Sequence, residues 1–344
     1  MKREETVIYY KISKNGRSGP LEQISGVNNW KLVIRREAAG VTILRAETCD
    51  RKAALPEELL GLPVTALGHH ALTPGRPMPE GEEILVTCGP ASGEDWDNSA
   101  LTDLTLPDSL ERVGDYGFFN CRTLKTLRLR DTVRFWGGGA LMNCRTLDTF
   151  HIACTGAEGE LLAYLAEELP RELDVTLYRA DGQTARLIFP EYVEVYEENC
   201  PAHHFDYNIY GAGYGYHHCF YRKQLSFKAY DDLWRPMLGM EHDGDCALRL
   251  AWWRLRYPVE LAEQAENAYL DFLRQRPLAA GRWLLERRDT EGLQFLLRTL
   301  DWSRDDLAAL CEAAREQDSP EALALLLEEQ HKRFPTGLDK SFDL

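Results

Sequence analysis

A repeat of 23 residues constrains this chain more than any other feature. Eight positions between Leu101 and Thr123 recur between Leu124 and Thr146, each shifted by the same interval (124 − 101 = 23), and a third copy begins at Leu147. Self-similarity at a fixed period of this length is typical of solenoids, in which a unit buries its apolar side only against its neighbours. The sequence therefore predicts stacked coils with one continuous core at the centre of the chain.

Within each unit, apolar and polar residues alternate as they do along a strand. Side chains two residues apart on a strand point to the same side, so the leucines and their equivalents predict stacked inner rungs. The inward-facing residues are Leu104 and Leu106 in the first unit, Leu127 and Leu129 in the second, and Phe150 and Ile152 in the third. The residues between them must then face outward, and we predict that they form a partner-binding stripe. The stripe comprises Asp103, Thr105, Thr126, Arg128, Thr149 and His151.

The first unit, LTDLTLPDSLERVGDYGFFNC from Leu101 to Cys121, resembles the BspA-type leucine-rich repeat family. Units of that family read roughly L-x-x-L-x-L-P-x-x-L-x-x-I-G-x-x-A-F-x-N-C. The second unit departs from this pattern at Arg130, which replaces the proline, and at Trp136, which replaces a small aliphatic residue. The resemblance spans roughly residues 40 to 152. It implies a β-solenoid, and it implies a non-enzymatic adaptor that binds other proteins, as cytoplasmic bacterial relatives with helical C-terminal halves are expected to do.

An earlier half-unit extends the pattern toward the N-terminus. Residues 61–72 carry a similar motif, and Gly68 precedes Gly114 by twice the repeat period (114 − 68 = 46). Residues 74–99 do not fit the motif, and they are expected to form an insertion around one degenerate strand, Ile84–Val86. We predict that residues 1–55 form a β cap that closes the first edge of the solenoid, because an open edge exposes unpaired backbone groups.

The remainder of the chain predicts an α+β protein with a helical C-terminal part. Leucines at helical spacing predict a helix over residues 158–169 that ends the repeats, and Asp181-Gly182 predicts a hairpin turn between two strands. From Asp243 onward, amphipathic patterns and N-cap residues predict antiparallel helical hairpins, loosely similar to ankyrin-type arrays. The expected domains are residues 1–55, a solenoid over 56–170, a β-hairpin and Tyr/His-rich region over 171–240, and an all-α domain over 241–344.

The Tyr/His-rich region offers an alternative function. If residues 216–221 form a strand, His217 and Cys219 share one face, and with His203 or Asp206 they would form a zinc-like set of nitrogen, sulfur and oxygen ligands. The competing interpretation is an aromatic-rich packed loop, since these residues lack a recognised ligand spacing. The alternative function is therefore a metal-dependent or small-ligand-binding protein centred on residues 203–219.

Bulk properties narrow the class of partner. The net charge of −15 disfavours nucleic acid and anionic membranes and favours a basic protein partner. Nine cysteines without metal-binding spacing predict reduced thiols in a cytoplasm, and neither a secretory signal nor a transmembrane stretch is expected. Phosphate-loop, metalloprotease, kinase and hydrolase motifs do not occur in the sequence, so no enzyme activity and no cofactor are expected.

Overall fold

The computed structural model describes residues 9–10, 20–21, 28–88, 96–156, 160–199, 204–240 and 244–335. The chain divides into two compact units. Unit 1 comprises Met1–Asp243 with Tyr257–Glu260, and unit 2 comprises Gly244–Arg256 with Leu261–Leu344. Unit 1 contains the strands together with four helices, and unit 2 contains six helices within the described ranges.

The strands are short, as expected for a solenoid that turns every few residues. They are β1 Tyr9–Tyr10, β2 Pro20–Leu21, β3 Trp30–Glu37, β4 Gly40–Glu47, β5 Lys52–Ala54, β6 Glu58–Leu59, β7 Leu62–Leu67, β8 Glu82–Val86, β9 Asp103–Thr105, β10 Arg112–Val113, β11 Thr126–Arg130, β12 Phe135–Trp136, β13 Thr149–Ala153, β14 Leu173–Tyr178, β15 Thr184–Phe189, β16 Val193–Asn199, β17 His204–Tyr210, β18 Phe220–Tyr221 and β19 Gln224–Leu225.

The helices follow the coils and then form all of unit 2. They are α1 Glu160–Glu168, α2 Gly213–His217, α3 Phe227–Asp232, α4 Trp234–Leu238, α5 Asp245–Arg256, α6 Glu263–Arg274, α7 Pro277–Glu286, α8 Thr290–Thr299, α9 Arg304–Glu316 and α10 Pro320–Arg333.

Two sheets form opposite walls of the solenoid. The front sheet has the order β15-β14-β13-β11-β9-β5, and all its pairings except β14–β15 are parallel. The back sheet contains β12, β10, β7 and β4 in parallel, followed by β3 and β8 in antiparallel pairing. Five parallel front strands, β5, β9, β11, β13 and β14, therefore define about five turns of a β-solenoid, and the expected α+β class is confirmed.

The inner rungs stack as the repeat predicts. Leu127 is in register with Leu104 on one side and with Phe150 on the other, and Phe150 is in register with Val175. All four side chains are completely buried. Aliphatic side chains stacked at the strand spacing bury their apolar area against each other in every turn, so the core continues from one coil to the next.

The repeated Asn-Cys-Arg-Thr motif closes each coil through four different roles. Asn120 and Asn143 both adopt positive φ values, of 63° and 66°, and the Asn143 amide donates to the Asn120 side chain at 2.7 Å. The Cys144 thiol donates to the carbonyl oxygen of Phe118 at 3.0 Å, and the Thr146 hydroxyl donates to that of Leu124 at 2.8 Å. The arginine of the motif is exposed. The motif thus satisfies polar groups at the turn.

The N-terminal spacing differs from the sequence-based expectation. Strand β7 pairs directly with β10, so Gly68 and Gly114 lie in adjacent coils, although their separation in sequence suggested two. A Cβ atom on Gly114 would lie 2.7 Å from the carbonyl carbon of Gly68, which explains glycine at this close approach. Residues 74–99 are inserted between consecutive coils, and their strand β8 joins the back sheet beside β3 instead of stacking as a coil.

The C-terminal end of the solenoid agrees with the predicted elements. Helix α1 occupies the position expected for the helix over residues 158–169, and its Glu168 carboxylate accepts hydrogen bonds from the Trp136 indole at 2.8 Å and the Leu141 backbone at 2.6 Å. Strands β14 and β15 form the predicted hairpin around Gly182, which has a φ of 83°. The hairpin continues the front sheet beyond the last repeat.

The segment after Gly211 differs from its prediction. The metal-site alternative assumed one strand over residues 216–221, but the structure has helix α2 over Gly213–His217, followed by the small hairpin β18–β19. Tertiary packing explains this difference, because Tyr216 is completely buried with its ring 4.8 Å from that of Tyr230. Side chains point in different directions along a helix and along a strand, and the helical turn of α2 is the conformation that directs the Tyr216 ring into the core.

Unit 2 is built from helical hairpins, as the amphipathic patterns predict. Helix α7 packs on α8 and α9, and α10 packs on α8 and α9. Gly281 allows α7 to approach α9 closely, because a Cβ atom there would lie 2.7 Å from the Leu310 side chain. The Asp289 and Ser303 side chains cap α8 and α9. The ankyrin-like character of this unit remains a prediction.

The close approach of neighbouring coils can be tested at adjacent glycines. A Cβ atom on Gly137 would lie 2.7 Å from Asp115 Cα, whereas one on Gly138 would meet no atom within 4 Å. We expect Gly137→Ala to lower the free energy of unfolding by about 1–3 kcal/mol, because the coils must separate. We expect Gly138→Ala to change it by less than about 0.5 kcal/mol. Urea unfolding followed by circular dichroism measures both, and equal losses would contradict this account of the coil contact.

Candidate functional site

The outer side of the front sheet, here called the front face, brings the predicted stripe together. The strand registers align its polar positions in rows that cross the strands. The first row contains Lys52, Asp103, Thr126, Thr149 and Asp174, the second contains Thr105, Arg128, His151, Thr176 and Arg186, and the third contains Arg130, Tyr178 and Thr184. All six residues predicted from the sequence therefore lie on one surface, in two adjacent rows.

The six residues differ in how much of each reaches the solvent. The Arg128 side chain is 45% exposed and that of Asp103 is 26% exposed, so both present charge to the solvent. Thr105, Thr149 and His151 are half-buried, and Thr126 is buried at 8% exposure. Thr126 therefore contributes little contact surface.

Charged side chains on the front face pair weakly in one place and strongly in another. Arg128 and Asp103 approach only to 4.0 Å between Nη1 and Oδ1. Arg186 instead binds both carboxylate oxygens of Asp174, at 2.7 and 2.6 Å, in a bidentate pair that fixes the β14–β15 hairpin. The loose pair leaves Arg128 able to change partner at little cost, since exposed ion pairs contribute little to stability.

The balance of charge on the front face is the reverse of that of the whole chain. Four cationic side chains, Lys52, Arg128, Arg130 and Arg186, accompany two carboxylates, Asp103 and Asp174. These strand positions therefore carry a formal charge of +2 (4 − 2 = 2) on a chain whose net charge is −15. One of the four cations, Arg130, is paired with Asp108 at 3.0 Å. Such a local inversion gives the surface a field of its own within about a Debye length.

His151 and Tyr178 form an aromatic pair near the middle of the front face. Their rings stack at 6.1 Å with an angle of 13°, and His151 Nδ1 lies 3.1 Å from the Tyr178 hydroxyl. Burial lowers the pKa of His151 below its ordinary value, and the positive charges of Arg128 and Arg186 lower it further, while Asp174 and Asp103 oppose this shift. His151 is therefore neutral near pH 7 and adds no further positive charge to the face.

Sequence reasoning missed the part of the front face that the hairpin supplies. Asp174, Thr176 and Tyr178 on β14 and Arg186 on β15 continue the rows of the repeats. The turn at Asp181-Gly182 predicted the hairpin itself. The parallel pairing of β14 with β13, which aligns these residues with the stripe, has no local signal in the sequence because the 23-residue repeat has ended there.

The zinc-like set predicted as an alternative is arranged differently from a metal site. His217 is buried, with Nδ1 2.8 Å from the carbonyl oxygen of Ala166 and Nε2 2.9 Å from that of Pro190. The Cys219 thiol donates to the carbonyl oxygen of Tyr216 at 2.9 Å, and burial raises its pKa to about 12. His203 lies outside the described residues. Over the described ranges, no group of three His, Cys, Asp or Glu side chains could hold a metal ion.

Burial lowers the pKa of His217 as well, while its two carbonyl partners act in the opposite direction. The ring links α2 to the end of α1 and to the residue that follows β15, and it packs edge-on against Phe189 and Tyr192. These contacts are those of a histidine that holds packed elements together, as in the packed-loop interpretation.

In the part of the chain that the structure describes, no helix combines the length and the apolar character needed to cross a membrane.

Comparison with known proteins identifies the repeats. Residues 94–158 match the family described as BspA type Leucine rich repeat region (6 copies). Among solved structures, a leucine rich cell surface protein from Faecalibacterium prausnitzii is 16% identical, covering 48% of this chain and 44% of its own, with a TM-score of 0.26. The T. pallidum Leucine Rich Repeat protein is 15% identical, covering 37% of this chain and 74% of its own, with a TM-score of 0.20.

The chain thus spans less than half the length of the first of these structures. No curated protein is significantly similar to the chain.

The electrostatic environment of His151 provides a test of the front face. We expect the measured pKa of His151 to lie below the ordinary value for histidine, because burial and the adjacent arginines disfavour the imidazolium. Arg128→Gln should raise that pKa toward about 6.5, since it removes one positive charge. Arg122→Gln, at an exposed coil corner, should leave the pKa unchanged. Histidine resonances followed by NMR against pH measure these values.

The same shift has a consequence for stability. As the pH falls below about 6.5, the unfolded chain takes up the proton on His151 before the folded chain does, so His151 contributes a loss of stability on acidification. A His151 pKa at or above the ordinary value would contradict this description of the front face.

Proposed function

We propose that this chain, whose residues 94–158 are a BspA-type leucine-rich repeat region, is a non-enzymatic scaffold that binds another protein through its front face. The family supports a repeat protein suited to protein–protein interaction, and the adaptor role is our inference. The observation that carries it is the alignment of polar side chains in rows across five stacked parallel strands.

Rigidity makes this surface suitable for binding. Each row is fixed by backbone pairing on both sides and by buried rungs beneath it, so few backbone degrees of freedom are lost when a partner binds. Half-buried threonines present short side chains with little rotamer entropy to lose. The arginines at the surface provide multidentate donors that match carboxylates in a planar geometry.

The charge of the front face suggests the chemistry of its partner. The formal charge of the whole chain favours a basic partner, but the excess of cations on this face favours an acidic patch on the protein that docks there. Arg128 and Arg130 lie two residues apart on β11, on the same side of the strand, so a partner carboxylate could reach both of them. We therefore infer an acidic protein surface as the ligand of the front face.

We also infer that the protein functions in the cytoplasm. Cys121 and Cys144 repeat at the coil period as buried thiols, and each donates to a backbone carbonyl of a preceding coil. Burial raises the pKa of Cys121 well above its ordinary value and that of Cys144 to about 12, so neither thiol is readily ionised. Cysteines used as small packing residues in this way are typical of proteins from reducing compartments.

A charge exchange on the front face tests the proposed role. The double variant Arg128→Glu/Asp103→Lys keeps the net charge and the possibility of a mutual ion pair, but it inverts the pattern that a partner reads. We expect capture of the native partner from cell extract to fall by roughly tenfold, with little change in melting temperature because both residues are partly exposed. Quantitative affinity capture with mass spectrometry measures the loss.

The matched control is Arg315→Glu/Glu316→Lys, which exchanges two exposed charges at the end of α9 and also conserves the net charge. The control should capture the same proteins as the unmodified chain. If the front-face variant captures them equally well, the front face is not the binding surface.

A further inference from the structure

Most of the described residues in the hairpin β16–β17 are exposed. It forms a separate two-stranded antiparallel sheet in the described structure, and neither strand pairs with the front or back sheet. Six aliphatic or aromatic side chains on it are exposed by 38–74%, and they belong to Val193, Tyr196, Phe205, Tyr207, Ile209 and Tyr210. Large apolar side chains grouped on a polar surface mark interaction sites. An isolated two-stranded hairpin is also only marginally stable in water.

The pleat gives the hairpin two faces of different character. One face, here called the aromatic face, pairs Tyr196 with Tyr207, Glu198 with Phe205 and Glu194 with Ile209. The Tyr196 and Tyr207 rings lie 4.7 Å apart, and the Tyr207 hydroxyl donates to Glu194 at 2.6 Å. The other face, here called the acidic face, places Glu197 directly opposite Asp206, beside the pairs Val195–Asn208 and Val193–Tyr210.

The acidic face carries a like-charged pair that a nearby cation would stabilise. Two carboxylates at directly opposed cross-strand positions repel each other and destabilise the pairing of their strands. Residues 190–221 contain five acidic residues and neither lysine nor arginine, so this segment supplies no cation of its own. A cation from another molecule, placed beside Glu197 and Asp206, would relieve the repulsion.

The surroundings extend the negative charge. A cleft of about 910 Å³ lies at the base of the hairpin, and its charged lining residues are five glutamates, Asp148 and two arginines. Two of these glutamates, Glu191 and Glu194, belong to the hairpin segment itself, and the others are Glu167, Glu168 and Glu172. A basic segment that reaches the hairpin therefore meets a net negative charge along its path, which favours its association.

We propose that the hairpin β16–β17 binds an extended segment of a partner protein in which basic and apolar residues alternate, and that this segment adds to the hairpin as a third strand. Strand addition pairs the backbone groups of an outer strand with those of the partner. The basic side chains then continue the acidic face beside Glu197 and Asp206. The apolar side chains continue the aromatic face beside Tyr196 and Phe205.

A second copy of this chain fits the hairpin less well. Two copies of the hairpin paired edge to edge would bring together carboxylates of both strands, and native proteins use such edge charges to prevent self-pairing. The same charges favour a basic segment, so they separate the proposed ligand from the chain itself. This surface is distinct from the front face, whose charge is of the opposite sign.

A fluorescent peptide of alternating arginine and valine is the probe for this site, with a glutamate–valine peptide as its control. Fluorescence anisotropy on the full chain should show saturable binding of the first peptide only. Glu197→Gln/Asp206→Asn should weaken that binding roughly tenfold, since it removes the opposed carboxylates. Tyr196→Ser/Phe205→Ser should weaken it to a similar extent through the aromatic face.

The matched control is Glu312→Gln/Glu328→Gln, which removes the same number of carboxylates from exposed helical positions in unit 2. It should bind the arginine–valine peptide as the unmodified chain does. An equal loss in this control would overturn the proposal, because attraction would then depend only on net charge. Equal binding of the glutamate–valine peptide would overturn it as well.

One substitution should move stability and binding in opposite directions. Glu197→Lys replaces the repulsive cross-strand pair with an attractive one, so the melting temperature should stay the same or rise. Peptide binding should nevertheless fall roughly tenfold, because the new lysine occupies the place of the ligand's cation. Unchanged binding in this variant would overturn the proposal.

The remaining outcomes concern a different occupant. Sedimentation equilibrium that shows concentration-dependent dimers, lost in Tyr196→Ser/Phe205→Ser, would overturn the proposal in favour of a second copy of this chain. The front-face variant Arg128→Glu/Asp103→Lys should bind the peptide normally. Failure of the front-face experiment therefore leaves this proposal in place, and the two surfaces are tested separately.

Discussion

The stacking of buried aliphatic and aromatic rungs supports the rest of unit 1. Leu104, Leu127, Phe150 and Val175 lie in register on successive front strands, and each is completely buried. Burial of a leucine or phenylalanine side chain contributes about 1.5–3 kcal/mol, and removing one also leaves a cavity. Because strand side chains alternate, a rung that points inward forces its neighbours outward. The outward rows of the front face are therefore a geometric consequence of the core.

The predictability of each part from the sequence follows from where its information lies. The inner rungs and the six residues of the stripe were predicted because a fixed period places equivalent residues one above another. The adjacency of Gly68 and Gly114 was not predicted, since the insertion over residues 74–99 lengthens the chain between them without adding a coil. Asp174 and Arg186 were missed because their alignment with the stripe depends on the pairing of β14 with β13.

The Tyr/His-rich region shows the limit of local patterns most directly. The metal-site alternative assumed a strand at Tyr216, but burial of its ring against Tyr230 and of His217 between two carbonyl groups favours the helical turn of α2. Tertiary packing overrides local preference in such short segments. The hairpin β16–β17 lies in the same region and was not predicted. Its aromatic and acidic faces can be assigned only when the register between the two strands is known.

Two surfaces of opposite charge on one unit give the adaptor hypothesis a physical form. The front face has more cations than carboxylates, whereas residues 190–221 carry carboxylates and no lysine or arginine. An acidic ligand suited to the front face would be repelled by the hairpin, and a basic ligand suited to the hairpin would be repelled by the front face. The net charge of −15 is therefore a poor guide to the charge of a ligand at any one surface. A protein that binds through both of the proposed surfaces would hold two partners of opposite charge at the same time, which is the property that an adaptor requires.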